Sequence, residues 1–416
     1  MTAASAGEPV LDLESGGLRT LVKRNPAHEV VAARVHFRGG AANLTPATAG
    51  SEAMYAASAR RGTRTYPKER LNGLLASLGA EFGASASHDA TVFSLRCLRR
   101  HLDTAWDVLA SIVLEPLLLP AELEVVRGQM LLDRRQMLDS PDGALGEIAR
   151  RRVYAGHPYA ATPHGDEASL PGLDAAALRA HVARFFTRSN ALVVLAGDVS
   201  EADAERYATR LADLPPGAGP TPLPAPVHFP SGALFLEERA LPTNYVLGEF
   251  AAPALRDPDH PAMLIAMSVL RDRFFEEVRT KRNLSYAPAA SLGHDAANLG
   301  SVYVTATDPA ATLPVMHAEM RRLAATPMPA DELEHKVRTF VTRYYLQNET
   351  NQAQAGFLAT YELFGSGWQH AGGLVARLEA VTPADIARVT RTYVRNIQWV
   401  VLGDRQAAPP HLFVDP

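Results

Sequence analysis

Hydrolytic zinc chemistry has a compact signature on a helix. Two His four residues apart project from one face and reach the same metal ion. A Glu between them lies close enough to polarise the metal-bound water as general base. The chain has fourteen His, yet no His-x-x-Glu-His or His-x-x-Glu-x-His string. Its single cysteine, Cys97, excludes a disulfide framework and argues against a Cys-based zinc site. Cys97 lies in the alternating run TVFSLRCL and reads as a small sheet or core residue. One segment stands out for holding no chemistry. AGSEAMYAASARRGT, residues 49–63, reads as a helix running into a turn, with Thr45 as its cap and Pro46 at the first helical position. Its centre, AMYAASA, carries no acid, base or metal ligand. Further on, Val126, Met130, Asp133 and Met137 share one face of a long helix, so a carboxylate interrupts an apolar stripe. Such an Asp is expected to be inward and paired with an Arg, or to sit at the helix edge.

The composition is that of an ordinary globular chain. Its 416 residues suffice for roughly two to three domains. Apolar residues make up 47% and charged residues 21%, the usual balance for a folded protein in water. Lys and Arg number 41 against 45 Asp and Glu, a formal net charge of −4. No basic arm or block of like charge points to nucleic acid or an anionic membrane surface. The first residues, MTAASAGEPVLDLESGG, hold no apolar stretch of signal-peptide length, and no segment reads as a membrane span. The expected location is cytoplasmic, or periplasmic if a signal peptide has been trimmed.

The elements that must position any chemistry are duplicated. Residues 173–198 (LDAAALRAHVARFFTRSNALVVLAGD) and 381–404 (VTPADIARVTRTYVRNIQWVVLGD) share one layout. An amphipathic helix leads to an aromatic, then Arg and Asn, a β-rich apolar run and Gly-Asp. Asn190 and Asn396 are 206 residues apart, as are Gly197 and Gly403. PAELEVVR at 120–127 recurs as PADELEHKVR at 329–338, with the Leu-Glu pairs 210 apart. Two blocks in the same order at nearly the same offset predict two homologous halves of ordinary domain size. The reading is a first domain over 1–217, a Pro-rich linker over 218–230 and a second domain over 231–416. The prolines of LPPGAGPTPLPAPVHFP favour extended, semi-rigid backbone at the joint.

Within the first half, GLRTLVKR and VVAARVHFR read as strands. EFGASASH and ATVFSLRCL alternate about the polar His88-Asp89 and predict a hairpin. Helices are predicted at PKERLNGLLASLGA, at HLDTAWDVLASIVLEP and over the long AELEVVRGQMLLDRRQML, which Asp-Ser-Pro ends. Strands and helices segregate rather than alternate strictly. The fold class is therefore α+β: two homologous α/β sandwich domains, each an antiparallel-type sheet with helices packed on one face.

GTRTYPKERLNGLLASLGAEFGASASHDATVFSL, GHPYAATPHGDEASLPGL and FFTRSNALVVLAGDVS resemble the first domain of the pitrilysin/insulinase-type zinc peptidases. FFEEVRTKRNLSYAPAASL is similar to that family's later segment ending in Lys-Arg-Gly-Leu-Ala-Tyr. The resemblance runs from about Val10 to Asp404 and implies a bowl-shaped half of a clamshell. In active members, a helix before the Gly-Thr matching Gly62-Thr63 carries His-x-x-Glu-His. Counting back from Gly62, the first His position falls on Ala53, the Glu on Ala56 and the second His on Ala57. The third ligand, a Glu in active members, falls on Asp133. These degenerate positions leave one carboxylate where catalytic zinc takes about three protein ligands, and no base. No metal or cofactor is expected in this chain. His157 and His164, flanking Pro158-Tyr159, fall in a loop that the resemblance marks as structural.

In two-chain bacterial members of the family, one subunit has the zinc motif and the other supplies an Arg and a Tyr from its second half. Those positions match Arg282 and Tyr286 in KRNLSY. A guanidinium and a phenol are good donors for the negative oxygen of a tetrahedral intermediate, and Arg offers paired donors for a carbonyl or carboxylate. Taken alone, RTKRN reads as a solvated basic turn and Tyr286 as a strand residue. The surrounding match reverses that. The resemblance thus implies the non-catalytic subunit of a heterodimeric zinc metalloendopeptidase. A homologous partner bearing His-x-x-Glu-His would hold the zinc, unfolded peptides would be the substrate, and Arg282 and Tyr286 would act in trans. The alternative is a structural or peptide-binding scaffold of the same fold, outside proteolysis. Two departures stand out. AMSVLRDRFFEEVR lacks the Gly-rich run usual before the Arg-Tyr segment, and Asn283 stands where Gly is usual, a mild change because Asn tolerates a left-handed turn.

Overall fold

The computed structural model describes residues 10–415. Residues 1–9, part of the N-terminal stretch read above for a signal peptide, lie outside the described residues. The chain forms two compact units. One takes in the chain up to Arg134, then Ala161–Leu223 and Tyr345–Leu363; the other takes in Arg135–Ala160, Pro224–Tyr344 and Phe364–Pro416. One short segment of each sequence half is thus built into the unit made mainly by the other half.

The first unit centres on a six-stranded sheet: β1 (Val10–Ser15), β2 (Leu18–Arg24), β3 (Val30–Arg38), β4 (Glu81–Ala86), β5 (Ala90–Leu98) and β6 (Ala191–Gly197), in the order β1-β2-β6-β3-β5-β4. β2 and β6 run parallel, and the other neighbours are antiparallel. The hairpin expected about His88-Asp89 is β4–β5, with Ala86 opposite Thr91. The strand period of two sends Val31, Ala33, Val35 and Phe37 of β3, with Phe93, Leu95 and Cys97 of β5, to one core face. That face is covered by α1 (Ser51–Ala59), α2 (Lys68–Leu78), α3 (Leu102–Leu114), the start of α4 (Pro120–Asp139), α6 (Ala175–Phe185) and α7 (Glu201–Thr209). Burial pushes the Cys97 thiol up to about 11, so it stays protonated at neutral pH.

The second unit repeats the design on five strands: β7 (Ala233–Glu238), β8 (Asn244–Ala251), β9 (Ala289–Leu292), β10 (Leu299–Ala306) and β11 (Gln398–Gly403), ordered β7-β11-β8-β10-β9. The parallel pair is now β7–β11. β11 stands where β6 stands in the first sheet, between the parallel partner and an antiparallel one, so the repeat read from Asn-x₆-Gly is a repeat of this interior strand. Both strands end on glycines with positive φ, 134° at Gly197 and 156° at Gly403, where a side chain would be strained. The core face carries α8 (His260–Phe274), α9 (Pro309–Ala325), α10 (Ala330–Gln347) and α12 (Pro383–Tyr393). Gly248 lies opposite Trp399; a Cβ there would come within 2.6 Å of the indole. The missing side chain is what lets this fully buried ring fit between strands.

Each sheet also carries one helix on its other face. In the first unit it is α11 (Asn351–Phe364), tied to β3 by Asn351 Nδ2 donating to the Val30 carbonyl at 2.7 Å and by Arg38 donating to the Leu363 carbonyl at 2.7 Å. In the second it is α5 (Pro141–Val153), whose Ala144, Leu145 and Ala149 pack on Val400 and Leu402. The architecture is the expected α+β one, with a second, thinner helical layer that the sequence reading did not include.

Candidate functional site

The empty helix begins later than its sequence suggests. Thr45 and Pro46 do form a capped turn, but it is a separate 3₁₀ turn, Pro46–Thr48, closed by a reciprocal Thr45–Thr48 box. Gly50 then adopts φ 86°, which interrupts the chain, and α1 starts at Ser51. A Cβ on Gly50 would lie 2.8 Å from Gly165 Cα, so the close approach as well as the φ requires glycine.

On α1, Ala57 is exposed, Ala53 is half-buried and Ala56 is buried against the sheet. None offers a donor atom to a metal. Asp133 does not compensate. It is exposed on α4, where its Oδ1 accepts from Gln129 Nε2 at 2.6 Å, one turn back. The inward-facing neighbour is Arg134, bonded to Glu167 at 2.9 Å. Among the described residues, no group of three or more His, Cys, Asp or Glu is placed to hold a metal ion. The residues present do not fit a catalytic zinc.

What α1 does carry is a buried polar knot that sequence reasoning passed over. Glu52, 1% exposed, accepts from Asn43 Nδ2 at 2.9 Å and Thr91 Oγ1 at 2.5 Å. It also faces His181 Nε2 at 3.1 Å. Tyr55 donates to the Val113 carbonyl at 3.0 Å while its ring meets Phe93 and Phe186 edge-on. These bonds tie α1 to the sheet and to α6. A charged residue just before an apolar helix centre was the available signal for Glu52. His157 is likewise structural: its Nδ1 accepts from the Tyr159 amide at 3.2 Å and its Nε2 meets the Ala225 carbonyl at 2.9 Å.

In the second unit, α8 runs directly into a π-helical turn, Phe275–Thr280, at the point where the Gly-rich run is missing. Such turns are rare and often mark functional segments. Asn283 takes φ 51°, the left-handed conformation that Gly would supply. Its amide donates to the Arg279 carbonyl at 3.0 Å, and the Leu284 amide donates to the Val278 carbonyl at 2.9 Å. Arg282 is therefore held on a closed turn. Its NH1 donates to the Glu277 carbonyl at 2.8 Å and to Glu277 Oε2 at 2.5 Å. Lys281 bonds the other carboxylate oxygen at 2.7 Å. Lys281, and next Arg282, hold the Glu277 carboxyl below the usual carboxylate range. Among the described residues, only one guanidinium nitrogen of Arg282 is used. Four residues on, Tyr286 is 78% exposed, an extreme value for a large aromatic. Its ring is backed by the Arg279 guanidinium, 3.9 Å from the centroid. The segment offers a free phenol and a part-used guanidinium to a ligand outside this chain. Glu277 and Arg279 were not picked out from sequence; the Glu-x₄-Arg spacing was the one signal for the first.

The family model "Insulinase (Peptidase family M16)" matches residues 19–163, and the model "Peptidase M16 inactive domain" matches residues 172–340. The chain belongs to the M16, or insulinase, family of peptidases. Within that family it is a member without the catalytic motif. An uncharacterised zinc protease of Streptomyces coelicolor is 22% identical over 415 residues, covering 95% of this chain and 90% of that protein. The mitochondrial-processing peptidase subunit beta of Saccharomyces cerevisiae is 20% identical over 216 residues, covering 50% of this chain and 46% of that one. A crystal structure described as a peptidase M16 inactive domain, from Pseudomonas fluorescens, shares the fold with a TM-score of 0.86 at 20% identity, covering 95% of this chain and 98% of that one. A protease from Helicobacter pylori gives 0.86 at 17% identity, covering 95% and 99%.

Proposed function

We propose that this chain is the non-catalytic subunit of a heterodimeric zinc metalloendopeptidase. It donates Arg282 and Tyr286 to the zinc site of a homologous subunit bearing His-x-x-Glu-His. The observation that carries this reading is the contrast between the two halves. Ala53, Ala56 and Ala57 leave the first without metal ligands or a base, while the second presents Tyr286, 78% exposed, on a closed turn beside Arg282. A phenol kept so exposed, with no partner for its hydroxyl among the described residues, is well suited to a site completed by another chain. The yeast relative's description as a subunit agrees with this. So do the exposed apolar side chains Leu119, Val125 and Leu132 at and along α4, which suit a protein surface more than water. Unfolded peptides are the proposed substrate and the cytoplasm the proposed location. No helix of the described residues is long and apolar enough to cross a membrane.

A second reading, a structural or peptide-binding scaffold outside proteolysis, is favoured by one detail: Arg282 already spends a donor nitrogen on Glu277. Co-expression with a His-x-x-Glu-His homologue, followed by a peptide-cleavage assay, separates the two. The subunit reading requires the pair to cleave faster than the partner alone. Equal rates leave the scaffold.

A further inference from the structure

The face of the first sheet that lies under α11 is unusually basic. The strand period of two puts Arg19, Leu21 and Lys23 of β2 on this face, with Ala32, Arg34, His36 and Arg38 of β3 and Arg96 of β5, opposite to the core set. Arg19 is matched by Asp12 and Glu362, and Arg96 by Glu81. Arg38 donates to the Leu363 carbonyl. Lys23 and Arg34 have no hydrogen-bond or ion-pair partner among the described residues, and Arg34 Nε is enclosed without an acceptor. Both are partly buried, so each bears a desolvation cost that nothing in this unit offsets. Desolvation lowers both pKa values, yet Arg stays charged at any working pH.

The register places the two cations together. Lys23 pairs with Ala196, Ala196 with Ala32, and Arg34 is the next residue of β3 on that face. At about 4.8 Å per strand and 3.3 Å per residue, their Cα atoms lie roughly 12 Å apart, within reach of two long side chains converging on one group. The surface between them is small and apolar: Ala196, Ala32, Val194 and Leu21. Above it, α11 carries a glycine in its interior, where Gly costs helix stability. A Cβ on Gly356 would lie 2.8 Å from Arg34 NH1, so the glycine keeps room for the guanidinium. His36 stays neutral beside it, its pKa held down to about 3 by burial and then by Arg34, and does not compete for an anion.

Building on the reading that unfolded peptides are the ligand, we propose that Arg34 and Lys23 form a carboxylate-binding subsite that selects acidic peptides. Charge complementarity identifies the occupant. Two desolvated cations without an anion fit a carboxylate, which Arg grips through paired donors. An acidic side chain and a peptide C-terminus share this chemistry.

The test needs no partner and no catalysis, so its failure is distinct from failure of the subunit reading. Fluorescence anisotropy would be measured on the full chain with three labelled twelve-residue unstructured peptides. One carries a central Glu-Asp pair and an amidated end, one is neutral with a free carboxylate end, and one is neutral and amidated. The expected result is at least tenfold tighter binding of one or both carboxylate peptides over the amidated neutral one, and which of the two identifies the source. Arg34→Gln and Lys23→Gln are expected to abolish that preference while leaving the melting temperature unchanged or raised. Gly356→Ala is expected to weaken it by displacing the guanidinium. Equal binding of all three peptides, or a preference that survives both Gln variants, overturns the proposal.

Discussion

His36 and Glu249 occupy the same place in the two sheets. His36 pairs with Leu192, two residues after Asn190; Glu249 pairs with Gln398, two residues after Asn396. Both lie on the face turned away from their core and next to a core phenylalanine, Phe37 or Phe250. Both hold side-chain atoms enclosed without a hydrogen-bond partner among the described residues: the two ring nitrogens of His36 and Oε2 of Glu249. The same environment favours the neutral form of each, with opposite consequences for pH. Burial, aided by Arg34, lowers His36 to about 3, and burial raises Glu249 to about 7.

These shifts set a pH profile of stability. An unfolded Glu titrates near 4.3, so between about 4.3 and 7 the folded state binds the extra proton. Glu249 therefore takes away stability as pH rises through that window. His36 behaves in the reverse sense: its contribution is complete above about 6.5 and is lost as pH falls toward 3. Glu249→Gln is expected to raise the melting temperature at pH 8 and leave it nearly unchanged at pH 4. His36→Leu is expected to protect the protein at pH 5 more than at pH 8. Thermal melts of the three proteins from pH 4 to 8 check both signs.

Glu52 is the opposite case, a buried carboxylate with its partners in place. Glu52→Ala would strand Asn43, Thr91 and His181 in the interior. The expected cost is about 3 kcal/mol, a fall of roughly 6–12 °C in melting temperature for a unit of this size. Glu52→Gln keeps acceptor and shape and is expected to cost less than half as much. Calorimetry on the two variants makes the comparison; equal losses would show that charge, not hydrogen bonding, holds the knot.

Arg282 and Glu277 yield a graded prediction for the assembled protease. With a catalytic partner, Arg282→Ala is expected to lower kcat by about 10² or more, the usual cost of one lost oxyanion donor. Tyr286→Phe removes the only polar atom of that side chain and is expected to act in the same direction. Glu277 orients Arg282 through one nitrogen, so Glu277→Ala is expected to cost about tenfold through a looser guanidinium. Steady-state kinetics on the mixed pairs gives the ranking. A loss from Glu277→Ala larger than that from Arg282→Ala would mean that Glu277 supports the turn rather than the arginine.

Much of this was legible in the chain, for physical reasons that differ by level. The repeat was visible because one interior strand of each sheet must end on a glycine beside its neighbour, so Asn190–Gly197 and Asn396–Gly403 keep one spacing. The β4–β5 hairpin and the long α4 followed from period and punctuation. The start of α1 was misplaced because Thr45-Pro46 is a genuine capping signal, spent on a 3₁₀ turn, and only the close approach of Gly165 explains the break at Gly50. The exchange of α5 and α11 between units was not legible, because periodicity shows that a helix has an apolar face and not which sheet receives it. The Glu52 knot joins residues up to 129 apart in sequence and has no local signature.

The last prediction concerns the empty helix itself. Ala53 and Ala57 lie toward the accessible side of α1, so Ala53→His with Ala57→His adds two imidazoles without entering the core. That double variant is expected to fold with little change in melting temperature. Ala56 differs, because it is 1% exposed and packed in the aromatic and aliphatic core beneath the sheet. Ala56→Glu would bury a longer, chargeable side chain where nothing accepts it, at an expected cost of a few kcal/mol. Restoring the sequence motif would thus fail on packing before it could succeed on chemistry. Metal analysis should find less than about 0.1 zinc per wild-type chain, and only weak zinc in the double His variant, since Asp133 is engaged by Gln129 and exposed. A stoichiometric, tightly held zinc in the wild-type chain would contradict the reading of α1. A stable triple variant would instead show that the core around Ala56 still has room for the glutamate, and that the lost ligands alone keep this helix silent.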